Sequence, residues 1–148
     1  MLDGGGLILS FRDLSDLWGY AANHGLTLQD KEPPRRDLDE VINWLASPTL
    51  GGIVCGVFLD SWNLFDDIAR SRYDSAFLRL SKEACAVYDR LFWGSNLPAM
   101  TPPGEHFDPV WSDQDVEELR RVLGDGIAML RRSLSQIIGD RAASPDPR

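Results

Sequence analysis

Only two cysteines and two histidines occur in the 148 residues. Cys55 and Cys85 form no Cys-x-x-Cys, so neither a disulfide framework nor a thiolate zinc site is encoded. Both lie in apolar periodic stretches and are expected to be small core residues in a reducing compartment. His24 falls at the end of a helical pattern, which leaves His106 without a second imidazole for a metal site or a catalytic triad. There is no Gly-x-Ser-x-Gly and no phosphate-binding glycine loop, since the glycines at 4–6 follow no strand. No cofactor is expected.

Long apolar runs are missing too. The longest, residues 50–59, is broken by glycines and reaches about half the length of a membrane-crossing helix. The opening MLDGGGLILSF has no basic n-region, so no signal peptide is expected and the chain is assigned to the cytoplasm.

Positive charge is scarce, with 15 basic residues against 23 acidic ones and a net charge of -8. Proteins that grip phosphate backbones or anionic membranes draw their affinity from basic patches, so neither nucleic acid nor membrane is an expected partner. A basic protein is the partner that this charge suits. The excess is concentrated: residues 37–73 carry six acids against Arg70 and Arg72, and residues 94–111 carry Glu105 and Asp108 with no base.

What is present builds a helical core. Apolar residues make up 43% of the chain, including five Trp, six Phe and three Tyr, enough for one domain of this length to fold without staples. Helices are expected over about 11–24, capped by Ser10 and closed by His24 and Gly25, and over a short segment capped by Asp37 and stopped before Pro48. A central helix is expected over about 50–70. There Cys55, Phe58, Leu59, Trp62, Phe65 and Ala69 share one face, and Ile53, Val57, Leu64 and Ile68 spread over the other. A helix apolar on two sides packs on both.

A fourth helix follows the cap at Asp74 or Ser75. Its stripe runs through Ala76, Phe77, Leu80, Ala84, Val87, Tyr88 and Leu91 to Gly94, with Arg79 and Glu83 paired on the surface. The fifth starts at Ser112 and Asp115 and carries its stripe from Val116 through Leu134, Ile137 and Ile138 to Gly139. The predicted fold is therefore all-α, a five-helix bundle over residues 1–139 with a flexible tail at 140–148.

Residues 94–111 hold four prolines and no helical period. A connection of that length is uncommon inside a compact domain and is often functional. Leu97, Met100, Phe107, Val110 and Trp111 make it too apolar for a free linker, so an ordered loop across the bundle is expected. Trp93 and Trp111 flank it and are the tryptophans expected to be exposed.

Two clusters could carry function. Met100, Glu105, His106, Phe107, Asp108 and Trp111 in the loop combine apolar anchors with acidic charge, the composition of a partner-binding surface. Asp60, Asn63 and Asp67 fall on one face of the central helix, a spacing able to hold Mg²⁺ or Mn²⁺ if a second helix supplies another carboxylate pair. Glu83 and Asp89 do not share a face, and the acids of the last helix sit in its first turn, where the helix dipole accounts for them.

The first cluster implies a non-catalytic protein-binding module, such as a bacterial inhibitor or immunity-type protein that occludes a basic toxin or nuclease. The second implies a metal-dependent all-α hydrolase. A self-associating adaptor subunit is the third alternative.

Overall fold

The computed structural model describes residues 8–28, 35–79 and 81–141, with the side chains of the last helix as far as Ser133. The fold is all-helical. Six helices, α1 (Leu14–Asn23), α2 (Asp39–Ala46), α3 (Cys55–Arg72), α4 (Ser75–Leu78), α5 (Lys82–Gly94) and α6 (Asp113–Arg141), follow one another with no strand among the described residues. None of the described helices is long and apolar enough to cross a membrane.

The core forms where α3 meets four neighbours. Phe58, Leu59, Trp62, Phe65, Ile68 and Ala69 of α3 are buried against Val41 and Trp44 of α2, Ala84, Val87 and Leu91 of α5, and Leu119, Val122, Leu123, Ile127 and Met129 of α6. Ile53, Val57 and Leu64 are partly buried around the same cluster. The two-sided apolar pattern of α3 thus has a packing partner on each side. A 3-10 turn at Leu50–Gly52 precedes α3, and the α-helix itself begins only at Cys55. Gly52 allows that turn to sit against Trp44, whose indole N–H donates to Thr49 O at 3.0 Å.

The expected fourth helix is two helices. At the end of α3, Tyr73 takes a left-handed conformation (φ 55°) and Asp74 N–H returns to Ala69 O, closing the helix. Asp74 then caps the single turn of α4 by accepting from Ala76 and Phe77 N–H. Ser81 opens a second cap, its Oγ accepting from Ala84 N–H while donating to Glu118 of α6 at 2.9 Å. Two caps within one apolar period cut it in two, so the described residues form six helices and not five. Arg79 falls in the break and donates to Ser75 O, so it does not pair with Glu83. Leu80 lies outside the described residues.

The cap of α6 is a reciprocal pair. Asp115 N–H donates to Ser112 Oγ, and Ser112 N–H returns to Asp115 Oδ2 at 2.9 Å. Asp115 is 8% exposed and also bonds Arg90, which ties α5 to the start of α6. The helix runs on through Gly139 to Arg141, so that glycine does not end it and residues 140 and 141 of the expected 140–148 tail are helical; residues 142–148 and the side chains of Leu134, Ile137 and Ile138 lie outside the described set.

Two further expectations are corrected at α1. Its cap is Asp13, accepting from Asp16 N–H, and Ser10 plays no such part. Of its residues only Ala21 is buried, while Leu14 and Trp18 remain exposed at its surface. The closing end is as expected, with Gly25 at φ 63° and His24 stacked on Tyr20.

Cys85 is exposed, contrary to its expected core position, because it lies on the outer face of α5. Cys55 is half-buried, its Sγ close against Gly94, and burial pushes its thiol above the ordinary value. The thiolate is the reacting form, so Cys85 should react with a disulfide reagent at pH 7.5 at least about tenfold faster than Cys55. Rates in Cys55→Ser and Cys85→Ser measure this, and equal rates would show that Gly94 leaves Cys55 open.

Candidate functional site

The loop between α5 and α6 is held by its own backbone chemistry. After Gly94, Asn96 adopts a left-handed conformation (φ 46°), which asparagine tolerates better than most residues. Its side-chain amide then works as a clamp. Oδ1 accepts from Phe107 N–H at 2.7 Å and Nδ2 donates to Phe107 O at 3.0 Å, closing residues 97–106 into a loop. Inside it, Met100 and Thr101 N–H both return to Leu97 O. Pro103 and Gly104 then turn the chain, with Glu105 N–H on Pro102 O at 3.0 Å and Gly104 at φ 85°, the proline–glycine pairing of a type II turn. Beyond the clamp, Pro109 packs on Gly94, where a Cβ would come within 2.8 Å of the proline ring.

This geometry leaves most of the loop's apolar residues uncovered. Leu97, Met100, Phe107 and Val110 are all exposed, so they do not seal the end of the bundle, whereas Trp111 is half-buried against the core. Met100, Glu105, His106 and Phe107 line one cleft of about 370 Å³ together with Trp93, Thr101 and Pro102. Four of the six loop residues singled out from the sequence therefore meet in one place. Asp108 stands beside the cleft and holds His106 Nε2 at 3.0 Å. Trp111 does not line it.

Sequence reasoning marked Trp93 as exposed but did not assign it to the site, and it missed Asn96. Trp93 is 49% exposed on the last turn of α5 and forms one wall. The available signal for Asn96 was an asparagine two residues after a helix-ending glycine, just past the cap at Ser95, a place where left-handed backbone recurs.

Electrostatics sharpen the cleft. Residues 91–119 include six acids, Glu105, Asp108, Asp113, Asp115, Glu117 and Glu118, and no Lys or Arg. Asp115 is taken by Arg90, Glu117 by Arg120 and Glu118 by Arg121. Hydrogen bonds from those arginines lower the pKa of both glutamates. The Glu105 carboxylate has no hydrogen-bond or ion-pair partner among the described residues.

The carboxylate arc of α3 is built differently. Asp60 pairs with Arg36, and Asn63 accepts from the Tyr88 hydroxyl at 2.9 Å. Asp66 pairs with Arg70, while Asp67 is exposed. A cation from the chain and a tyrosine hydroxyl thus engage two of the three residues of the arc. Among the described residues no group of three or more His, Cys, Asp or Glu converges as a metal site needs. A second cleft, of about 190 Å³ between α4 and α6, is lined by Arg79, Arg121 and Arg132 with Asp74 and Asp125. Most of its charges are already engaged, Asp74 in capping α4 and Arg121 with Glu118 and Asp125. No protein-family model, no curated protein and no solved structure matches the chain.

Proposed function

We propose that this chain is a protein-binding module of the inhibitor or immunity kind, which uses the cleft beside Trp93 to hold and occlude a basic protein. One observation carries the reading. Trp93, Met100 and Phe107 stay 49%, 52% and 46% exposed around a single cleft, on a loop that the Asn96 clamp holds closed. Large apolar side chains gathered at the surface mark interaction sites, and tryptophan in such a place is a frequent binding anchor. A loop closed before binding loses little entropy on association. The acidic surroundings add steering toward a positive partner, which raises the association rate.

Capture from the source cell, followed by kinetics with the purified partner, tests it. Met100→Ala plus Phe107→Ala should lose the captured protein while keeping the wild-type melting temperature within a few degrees, since both residues are about half exposed and neither belongs to the core. Glu105→Lys plus Asp108→Lys should slow association about tenfold or more at low salt. If both double variants bind the same partner with wild-type kinetics, the cleft is not the interface.

A further inference from the structure

We propose that the cleft is a receptor for an arginine side chain displayed by the basic partner, an inference that rests on the protein-binding reading and specifies its anchor. Two features of different chemistry lead there. The walls are aromatic and soft, with Trp93, Phe107 and the thioether of Met100. Aromatic faces attract cations through their quadrupole, tryptophan most strongly. The one carboxylate in the lining, Glu105, has no partner among the described residues.

His106, the remaining titratable group of the lining, is engaged at Nε2 by Asp108 rather than by Glu105. No Lys or Arg of residues 91–119 competes for the position.

A purely apolar anchor would fill the space but would cover Glu105 without compensating it, and covering an unpaired charge is unfavourable. An aliphatic stem ending in a cation answers both features at once. The stem lies against Met100 and Pro102, and the head group meets the aromatic faces and the carboxylate. Guanidinium suits this better than ammonium, because it is planar and weakly hydrated, stacks on rings and bonds a carboxylate with two parallel N–H groups. The cleft, about 370 Å³, falls in the range of pockets that enclose such a group.

The test follows the Trp93 indole N–H resonance, assigned with Trp93→Phe, during titration with the blocked tripeptide Gly-Arg-Gly. The same peptide with citrulline replacing arginine keeps the shape and removes the charge. The arginine peptide should shift the Trp93 signal with a dissociation constant of about 1 mM, leave Trp62 unmoved, and bind at least about fivefold more tightly than the citrulline peptide. Glu105→Gln, at an exposed position that leaves the fold intact, should remove about that fivefold preference.

Equal affinity for the two peptides, an unchanged preference in Glu105→Gln, or no shift at tens of millimolar peptide would each overturn the arginine assignment. Tighter binding of tetramethylammonium than of the arginine peptide would also overturn it, in favour of a small quaternary ammonium. None of these outcomes touches capture of a partner that depends on Met100 and Phe107, so failure here is separable from failure of the protein-binding reading.

Discussion

Trp62→Ala is expected to lower the free energy of unfolding by about 3–5 kcal/mol, the range for deleting a large buried aromatic. Trp62 is 1% exposed in the middle of α3, which packs against α2, α4, α5 and α6. The Tyr88 ring and its indole meet in a T-shaped arrangement, with centroids 5.5 Å apart and planes at 76°. That geometry adds about 0.5–1.5 kcal/mol beyond area burial. Tyr88 is itself fixed by its hydroxyl bond to Asn63, so the void left by alanine has a wall that cannot simply collapse inward.

Domains of this kind have a total stability of about 5–15 kcal/mol, so the loss approaches half of it. Urea unfolding followed by circular dichroism measures the effect. Trp18→Ala is the control: its side chain is 43% exposed, and the expected change is within about 0.5 kcal/mol. A Trp62→Ala midpoint equal to wild type at the same slope would mean that α3 presents a different face to its neighbours.

Those two tryptophans show what the sequence could and could not say. Each sits in an amphipathic helix, and the local period is equally good for both. Periodicity states which residues share a face, but not whether another element arrives to cover it. For α3 a second apolar face signalled neighbours on both sides; α1 carries one stripe that the described residues leave largely exposed. Caps behaved similarly. Ser112 with Asp115 was legible because the reciprocal pair spans three residues, while the Ser81 cap was hidden inside an apolar period that continues across it.

At the candidate site, four prolines without a helical period marked the loop, and four of the six residues singled out for its mixed composition line the cleft. The clamp between Asn96 and Phe107 joins positions eleven apart, and the pairing of Arg36 with Asp60 joins a loop to a distant helix. Contacts of that kind are set by tertiary packing and leave no local mark. For that reason Asp60, Asn63 and Asp67 read as a cation face in sequence, while in the fold Asp60 and Asn63 have partners from elsewhere in the chain.

Two glycines on one helix are expected to answer the same substitution with opposite signs. Gly124 and Gly126 both lie inside α6, where alanine is intrinsically favoured over glycine by about 1 kcal/mol. At Gly124 an added Cβ would meet nothing within 4 Å, so Gly124→Ala should gain most of that preference. At Gly126 the same atom would stand 2.1 Å from Phe65 Cδ2 and 2.4 Å from Cγ. Phe65 is wholly buried at the centre of α3, so its ring has no free space into which to swing.

Overpacking of a tight core costs about 1–3 kcal/mol and sometimes more, and at so close an approach the upper end applies. Gly126→Ala should therefore lose about 2 kcal/mol or more after the propensity gain is subtracted. In a domain of this size each kcal/mol moves the melting temperature by about 2–4 °C, so calorimetry should separate the two variants clearly. Combining Gly126→Ala with Phe65→Leu distinguishes the cause. If the ring is the obstacle, the double variant loses less than the sum of the single losses. Strict additivity would place the strain elsewhere and remove Gly126 as the residue that lets α6 approach α3.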